Sequence, residues 1–293
     1  MGFRNVVNDG TSNQPRLRPQ QCTAGMRALG AGEAGSMPPF LDRIAGAGFW
    51  GFEANCQGEQ DADELAAMLR DRGLAIGYAA VAGKADDLLS ALELAHRMRA
   101  DYLSVRVTGS LKASPDIAEA LEEMYELVND AGLPLFIETR GGSVTQDLRR
   151  TVKVIKRFKR VRFSGDFSSY ISACELAAPW SEEVWDHFRQ IAKRCGNWHG
   201  RLGIDQAGLG EMNQEIKKLW AYGMGEWLKK ARPGEVLPFC CEPGAGGWEQ
   251  CLATKDLAEK AWAEAIAERR PQENQVAAEP EAPAEIAANQ GMH

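Results

Sequence analysis

The stretch LPLFIETRG (133–141), followed by TQDLRRTVKVIKRF (145–158), contains the pattern that decides the fold. The first segment is a short apolar run with the length of a buried strand. In the second segment, apolar residues recur every three to four positions, which is typical of a helix with one buried face. A polar, glycine-containing turn separates the two segments. Together they predict one strand followed by one helix.

Seven more apolar runs, each followed by an amphipathic stretch, flank this unit along the chain. They lie at 20–29, 48–56, 74–82, 101–109, 161–169, 195–203 and 237–244. Several of the helical stretches end in Ala-Gly or Arg-Gly, as helix C-termini often do. Alternating strands and helices indicate an α/β protein with a parallel sheet. Eight units in about 250 residues predict a (β/α)8 TIM barrel.

An open, doubly wound sheet is the alternative architecture. Its nucleotide-binding form gains no support, because no Gly-x-Gly-x-x-Gly follows the first strand and no Walker-type GK[ST] occurs. We therefore predict a single barrel domain over 19–270. A flexible segment is expected at 1–18, and a disordered tail rich in Ala, Glu and Pro at 271–293.

Composition narrows the class of protein further. The chain has 293 residues, a net charge of −7 and no apolar run as long as a membrane helix. A nucleic-acid partner bound through charge is not expected, and the basic run 149–162 is interpreted as a solvated helix face. Seven cysteines at irregular spacing indicate reduced thiols and a cytoplasmic protein. A homo-oligomer is left open.

Polar residues end four successive strands of the predicted barrel. They are Glu138, Asp166, His199 and Glu242. Chemistry in a TIM barrel takes place at the C-terminal ends of the strands, so these side chains are expected to share one mouth. Three carboxylates and one imidazole suit a divalent cation, with manganese expected first and magnesium, cobalt or zinc as alternatives.

The segments IETRGGSVTQDLRRT, RFSGDFSSY, NWHGRLG and CCEPG resemble the xylose isomerase-like TIM barrels, a group of sugar phosphate isomerases and epimerases. The resemblance covers about residues 36–250. It implies that Glu138, Asp166, His199 and Glu242 bind one divalent metal. It also implies that Glu138 and Glu242 act as acid and base on a sugar or keto-polyol, through an enediolate.

Two positions depart from the family pattern. Arg140 and Ser169 stand where many relatives have histidine. A metal-dependent lyase, such as a keto-polyol dehydratase or a β-eliminating deglycosidase, would use the same residues and remains the alternative. A ligand-binding barrel without turnover is the second alternative, because the missing imidazoles would weaken catalysis.

Strand alternation and loop position suggest further residues that contact the small-molecule substrate. Arg201 lies two residues after His199, and Arg106 faces inward if Val105 and Val107 face the helices. Both could bind a substrate oxygen or carboxylate, or could pair with neighbouring carboxylates. The full set of expected substrate-binding residues is Arg201, Arg140, Arg106, Glu53, Ser169, Trp50 and Trp248.

Overall fold

A computed structural model describes residues 4–28, 37–56, 58–202, 209–243 and 246–276. Within these residues, nine strands form one sheet. They are β1 (Val7–Asn8), β2 (Arg16–Cys22), β3 (Gly51–Ala54), β4 (Ala75–Ala82), β5 (Leu103–Val107), β6 (Leu135–Glu138), β7 (Phe163–Gly165), β8 (Cys195–Gly200) and β9 (Glu235–Cys241).

The eight strands β2 to β9 are parallel and close into a barrel. Each strand pairs with the next in sequence, and β9 pairs with both β8 and β2. The short β1 adds to β9 in the antiparallel sense. The (β/α)8 barrel predicted from the alternating units is therefore confirmed.

Helices follow the barrel strands and cover their outer faces. They are α1 (Thr23–Ala28), α2 (Met37–Gly46), α3 (Glu59–Asp71), α4 (Leu89–Met98), α5 (Ser114–Asp130), α6 (Leu148–Arg157), α7 (Ser168–Ala173), α8 (Glu182–Ala192), α9 (Leu209–Leu228) and α10 (Gly247–Val276), with a short 3-10 helix at Ala85–Leu88.

Local chemistry sets several helix ends. The Asp147 side chain accepts a hydrogen bond from the backbone N–H of Arg150 at the start of α6. Gly73 and Gly132 have φ values of 66° and 76° just after α3 and α5. This left-handed backbone is favourable for glycine, which explains the Arg-Gly and Ala-Gly endings seen in the sequence.

The ends of the chain differ from the expected loose segments. Within 1–18, Val7 is fully buried in the sheet and β2 already begins at Arg16. The run expected at 20–29 overlaps β2 only at its end, because the polar composition hid the start of this strand, where the charged Arg18 is nevertheless buried. At the other end α10 continues to Val276, and the remaining part of the expected tail, 277–293, lies outside the described residues.

A small apolar cluster fills the amino-terminal half of the barrel. Val7, Tyr102, Phe136 and Val236 form a buried cluster of their own. A Cβ on Gly196 would overlap with the ring of Phe136. This cluster fills the barrel interior at the amino ends of the strands. The polar residues of the cavity lie at the opposite, carboxyl ends.

Gly196 is also the extra residue of a bulge between β7 and β8. Phe163 pairs with Cys195, whereas Ser164 pairs with Asn197. Cys195 consequently belongs to the core on the helix side. Beyond the bulge, Asn197 points into the barrel and donates to Ser164 Oγ, and His199 lines the cavity at the strand ends.

The structure also bears on three expectations drawn from composition: the basic run, the cysteines and the absence of a membrane helix. In α6, Val154 and Ile155 are buried while Arg149, Lys153 and Lys156 are exposed, as expected of a solvated basic face. All seven cysteines are free thiols. Among the helices of the described residues, none is both long and apolar enough to cross a membrane.

We predict that Gly196→Ala lowers the free energy of unfolding by about 1–3 kcal/mol, because the added methyl forces Phe136 or the bulge to move. Gly46→Ala is the matched control, since an added Cβ meets nothing within 4 Å there. As a helical Gly→Ala change it should be neutral or stabilising by up to about 1 kcal/mol. Urea unfolding measures the free energy of unfolding of both variants. Equal stability of the two variants would contradict the close packing described for Gly196.

Candidate metal centre and barrel mouth

Three of the four expected metal ligands converge at the carboxyl ends of the strands. Glu138 ends β6, His199 lies in β8, and Glu242 directly follows β9. One ligand atom from each lies within 4.8 Å of the others, and all three residues are buried. Two carboxylate oxygens and an imidazole nitrogen form a donor set that fits a divalent cation. The described residues thus contain a possible metal site at the expected place.

His199 connects two groups of carboxylates through its two ring nitrogens. Nδ1 lies 3.1 Å from Glu242 Oε1 and 3.9 Å from Glu138 Oε1. Nε2 lies 3.1 Å from Glu53 Oε1 on the opposite side of the ring. A metal-binding histidine is commonly oriented by a carboxylate at its second nitrogen. The geometry suits Glu53 for this role, with Nδ1 turned toward the two glutamates.

Glu53 is itself held by neutral donors deep in the barrel. Its carboxylate accepts hydrogen bonds from the Tyr102 hydroxyl at 2.8 Å and from Asn197 Nδ2 at 3.1 Å. Asn197 Nδ2 also donates to Ser164 Oγ at 2.9 Å. Only 2% of Glu53 is exposed, so its position is determined by these fixed neighbours rather than by water.

Neighbouring charges shift the pKa values of His199 and Glu242 in opposite directions. Burial alone would lower the pKa of His199, but the carboxylates of Glu53 and Glu242 raise it well above the ordinary value. Burial would raise the pKa of Glu242, but His199, Arg201 and Arg140 lower it to about 2. Without a metal, His199 is therefore protonated and Glu242 ionised at neutral pH.

Two arginines pair directly with the two glutamates of the donor set. Arg140 Nη1 donates to Glu138 Oε1 at 2.8 Å and lies 3.9 Å from Glu242 Oε1. Arg201 donates to the other oxygen of Glu242. Burial would lower the pKa of both guanidinium groups, but the facing carboxylates raise it. Both arginines therefore stay fully charged at the mouth.

Asp166, the fourth expected ligand, is not in the group of three. Its Oδ1 accepts hydrogen bonds from the backbone N–H of Ser168 at 3.0 Å and from the Ser168 hydroxyl at 2.5 Å. Burial raises the pKa of Asp166, and the nearby charge of Glu242 raises it further. Asp166 thus lies beside the cluster with its carboxylate turned to the start of α7.

A cavity of about 210 Å³ opens above the cluster. Its lining includes Glu53, Glu138, His199 and Glu242, together with Arg106 and Arg140. Cys22, Thr23, Asn55, Ser104 and the backbone run 79–81 complete the wall. As the alternation required, Val105 and Val107 pack in the core while Arg106 faces the cavity.

The structure does not bring three expected substrate contacts to this cavity. Trp50 precedes β3 at its amino end, far from the strand ends, and lies against Arg16. Trp248 packs against Phe40 and Phe49. Ser169 lies on α7, where its neighbour Ser168 makes the contact with Asp166.

Sequence reasoning missed Tyr102 and Asn197, the two donors that hold Glu53. Asn197 could have been found, because it lies two residues before His199 and alternation turns both inward. Tyr102 gave no such signal, since it precedes β5 and reaches Glu53 across the barrel.

Comparison with solved structures finds other barrels with the same fold. A sugar phosphate isomerase/epimerase from Parabacteroides distasonis matches 91% of this chain and 100% of its own at 14% identity, with a TM-score of 0.57. A xylose isomerase-like TIM barrel protein from Mycobacterium smegmatis in complex with magnesium matches 87% and 98% at 14% identity, with a TM-score of 0.56. The chain has the fold of the xylose isomerase-like TIM barrels.

A third match is described as the probable 3-DHS dehydratase AsbF of petrobactin synthesis in Bacillus anthracis. It covers 82% of this chain and 98% of its own at 16% identity, with a TM-score of 0.51. No protein-family model matches the sequence, and no curated protein matches it. At such low identity the three matches establish the fold, while the chemistry must be argued from the mouth of this barrel.

We predict that Glu53→Gln lowers the pKa of His199 in metal-free protein, because it removes one of the charges that favour the imidazolium. NMR titration of the His199 imidazole resonances in the parent and in the variant measures this pKa. An unchanged His199 pKa in the folded variant would contradict the coupling of these two residues.

Proposed function

We propose that the protein is a divalent-metal-dependent isomerase or epimerase of a sugar or keto-polyol. The observation that carries the proposal is the buried group of Glu138, His199 and Glu242 at the base of the cavity. The solved sugar phosphate isomerase/epimerase and the magnesium-bound barrel of the same fold support it. Manganese is our first choice of metal, and a cytoplasmic location and a homo-oligomer remain predictions.

A bound divalent ion would act as a Lewis acid that lowers the cost of forming an enediolate from a hydroxy-ketone. Glu138 and Glu242 would hold the ion together with His199, and Asp166 remains a proposed fourth ligand. The carboxylates of Glu138 and Glu242 come from different strands and meet at one cavity. One of them would remove the proton next to the carbonyl, and the other would return a proton to the substrate.

Arg140, Arg201 and Glu53 would bind the substrate or position His199 without transferring a proton. A guanidinium stays protonated throughout, so Arg140 and Arg201 can donate hydrogen bonds to substrate oxygens but cannot take up a proton. Buried Glu53 would hold His199 in the orientation that keeps Nδ1 toward the ion. Proton transfer is therefore assigned to the two glutamates.

A lyase on the same scaffold is the second candidate, favoured by the dehydratase among the structural matches. Loss of a hydroxyl group next to the enediolate would give a dehydrated product. The same two glutamates would serve, because the first proton abstraction is common to both reactions.

We predict that manganese binds to the chain and that His199→Ala weakens the binding by about tenfold or more, since a donor is lost. Calorimetry of the metal-free protein with MnCl2 gives the affinity, and a thermal melt checks the fold. His187→Ala on the exposed face of α8 is the matched control and should bind as the parent does. Absence of manganese binding by the parent chain would remove the metal-dependent proposal.

We predict that Glu138→Gln and Glu242→Gln each slow proton abstraction by about 100-fold or more, because an amide cannot serve as the base. The assay is hydrogen–deuterium exchange next to the carbonyl of a panel of ketoses in D2O with Mn2+, followed by NMR. It registers the shared first step whether the product is an isomer or a dehydrated compound. Glu211→Gln on the exposed surface of α9 is the control. Exchange at the parent rate in either variant would exclude the two-glutamate mechanism.

A further inference from the structure

One cation at the mouth, Arg106, has no counter-charge among the described residues. The side chain of Arg106 makes no ion pair or hydrogen bond with any residue that the structure describes, although it is half-buried in the cavity wall. Its position is fixed by the strand pairing of Arg106 with Val81 and by the buried Val105 and Val107 beside it. A half-buried guanidinium that faces a cavity and pairs with none of the described carboxylates is available to an anionic ligand.

Among the described residues, the carboxylates of the mouth are paired with groups other than Arg106. Glu53 and Glu242 lie 3.1 Å from the two ring nitrogens of His199, Arg140 donates to Glu138, and Arg201 donates to Glu242. A divalent ion on Glu138, His199 and Glu242 would add positive charge to the cavity that Arg106 lines. The cavity would then attract an anion more strongly.

The same ion would take over the carboxylates that Arg140 and Arg201 now hold. Arg140 donates to Glu138, and Arg201 donates to Glu242 while its own Nε is buried without a partner. Arg140 lines the cavity with 31% of its side chain exposed, and the side chain of Arg201 is 38% exposed. Once freed, these guanidinium groups need new acceptors, and together with Arg106 they would favour an acceptor that carries a negative charge.

We infer that the substrate is a sugar acid, a hydroxy-keto compound whose carboxylate is bound by Arg106 with the help of Arg140 and Arg201. This inference rests on the proposed function and names its substrate class. A planar carboxylate matches the donor fork of a guanidinium. A phosphate ester is bulkier than a carboxylate, and the cavity holds only about 210 Å³.

The test compares three ligands that differ at one carbon: D-fructuronate, D-fructose and D-fructose 6-phosphate. Calorimetry with the full-length chain measures their dissociation constants with saturating Mn2+ and again without metal. We expect D-fructuronate to bind about tenfold or more tightly than D-fructose, the ratio that one charge-assisted hydrogen bond supplies. We also expect D-fructuronate to bind more tightly than the phosphate ester.

Arg106→Gln should remove this preference by weakening D-fructuronate binding while the affinity for D-fructose stays within about twofold, because only the charged contact is lost. Arg157→Gln, on the exposed face of α6, is the control and should keep the full preference. Thermal melts check that both variants fold. If Arg106→Gln does not fold, the comparison of ligands on the parent chain still decides.

Failure of the inference is distinct from failure of the proposed function. Equal affinity for D-fructuronate and D-fructose, stronger binding of the phosphate ester, or no binding of any of the three would overturn the sugar-acid assignment. An unchanged preference in folded Arg106→Gln would overturn the role of Arg106. Lack of manganese binding would instead overturn the metal-dependent reaction. In metal-free protein Arg140 and Arg201 stay on the glutamates, so Arg106 alone should give D-fructuronate a smaller preference over D-fructose, and absence of that preference would overturn the sugar-acid assignment as well.

Discussion

Burial of four carboxylates at one end of the barrel is the constraint on which the mouth depends. Glu53, Glu138, Asp166 and Glu242 are each less than 10% exposed. Removing a single partner from a buried ion pair typically costs about 3–5 kcal/mol, so these charges persist only with compensation nearby. His199, Arg140, Arg201 and the hydrogen bonds from Tyr102, Asn197 and Ser168 supply it.

The apolar half of the barrel makes this concentration of charge possible. Val7, Tyr102, Phe136 and Val236 fill the interior at the amino end, and Gly196 leaves room for the Phe136 ring. The bulge at Gly196 then turns Asn197 and His199 into the barrel above that layer. Packing at one end and polar pairing at the other are thus linked through the same strand, β8.

The alternation of apolar runs with amphipathic stretches was sufficient to predict the fold. Within β5, the period of two assigns each strand residue to one face and placed Arg106 in the cavity wall. The rest depends on contacts between distant strands. Glu53 faces His199 across the barrel, and the Asp166 carboxylate turns to Ser168, so neither arrangement follows from spacing along the chain. Trp50 fell at the amino end because β3 begins only at Gly51.

Arginine at position 140 determines what the proposed mouth can do. An imidazole can exchange a proton near neutral pH, whereas a guanidinium can only donate hydrogen bonds and charge. His199, Arg201 and Arg140 together lower the pKa of Glu242 to about 2, which makes it a weak base. In the proposed reaction, an anionic substrate would accept hydrogen bonds from the guanidinium groups that a bound ion frees from Glu138 and Glu242. A neutral sugar would offer these groups no charged acceptor, so they would return to the glutamates and keep the base weak. Substrate charge and proton transfer are thus coupled through the same two guanidinium groups.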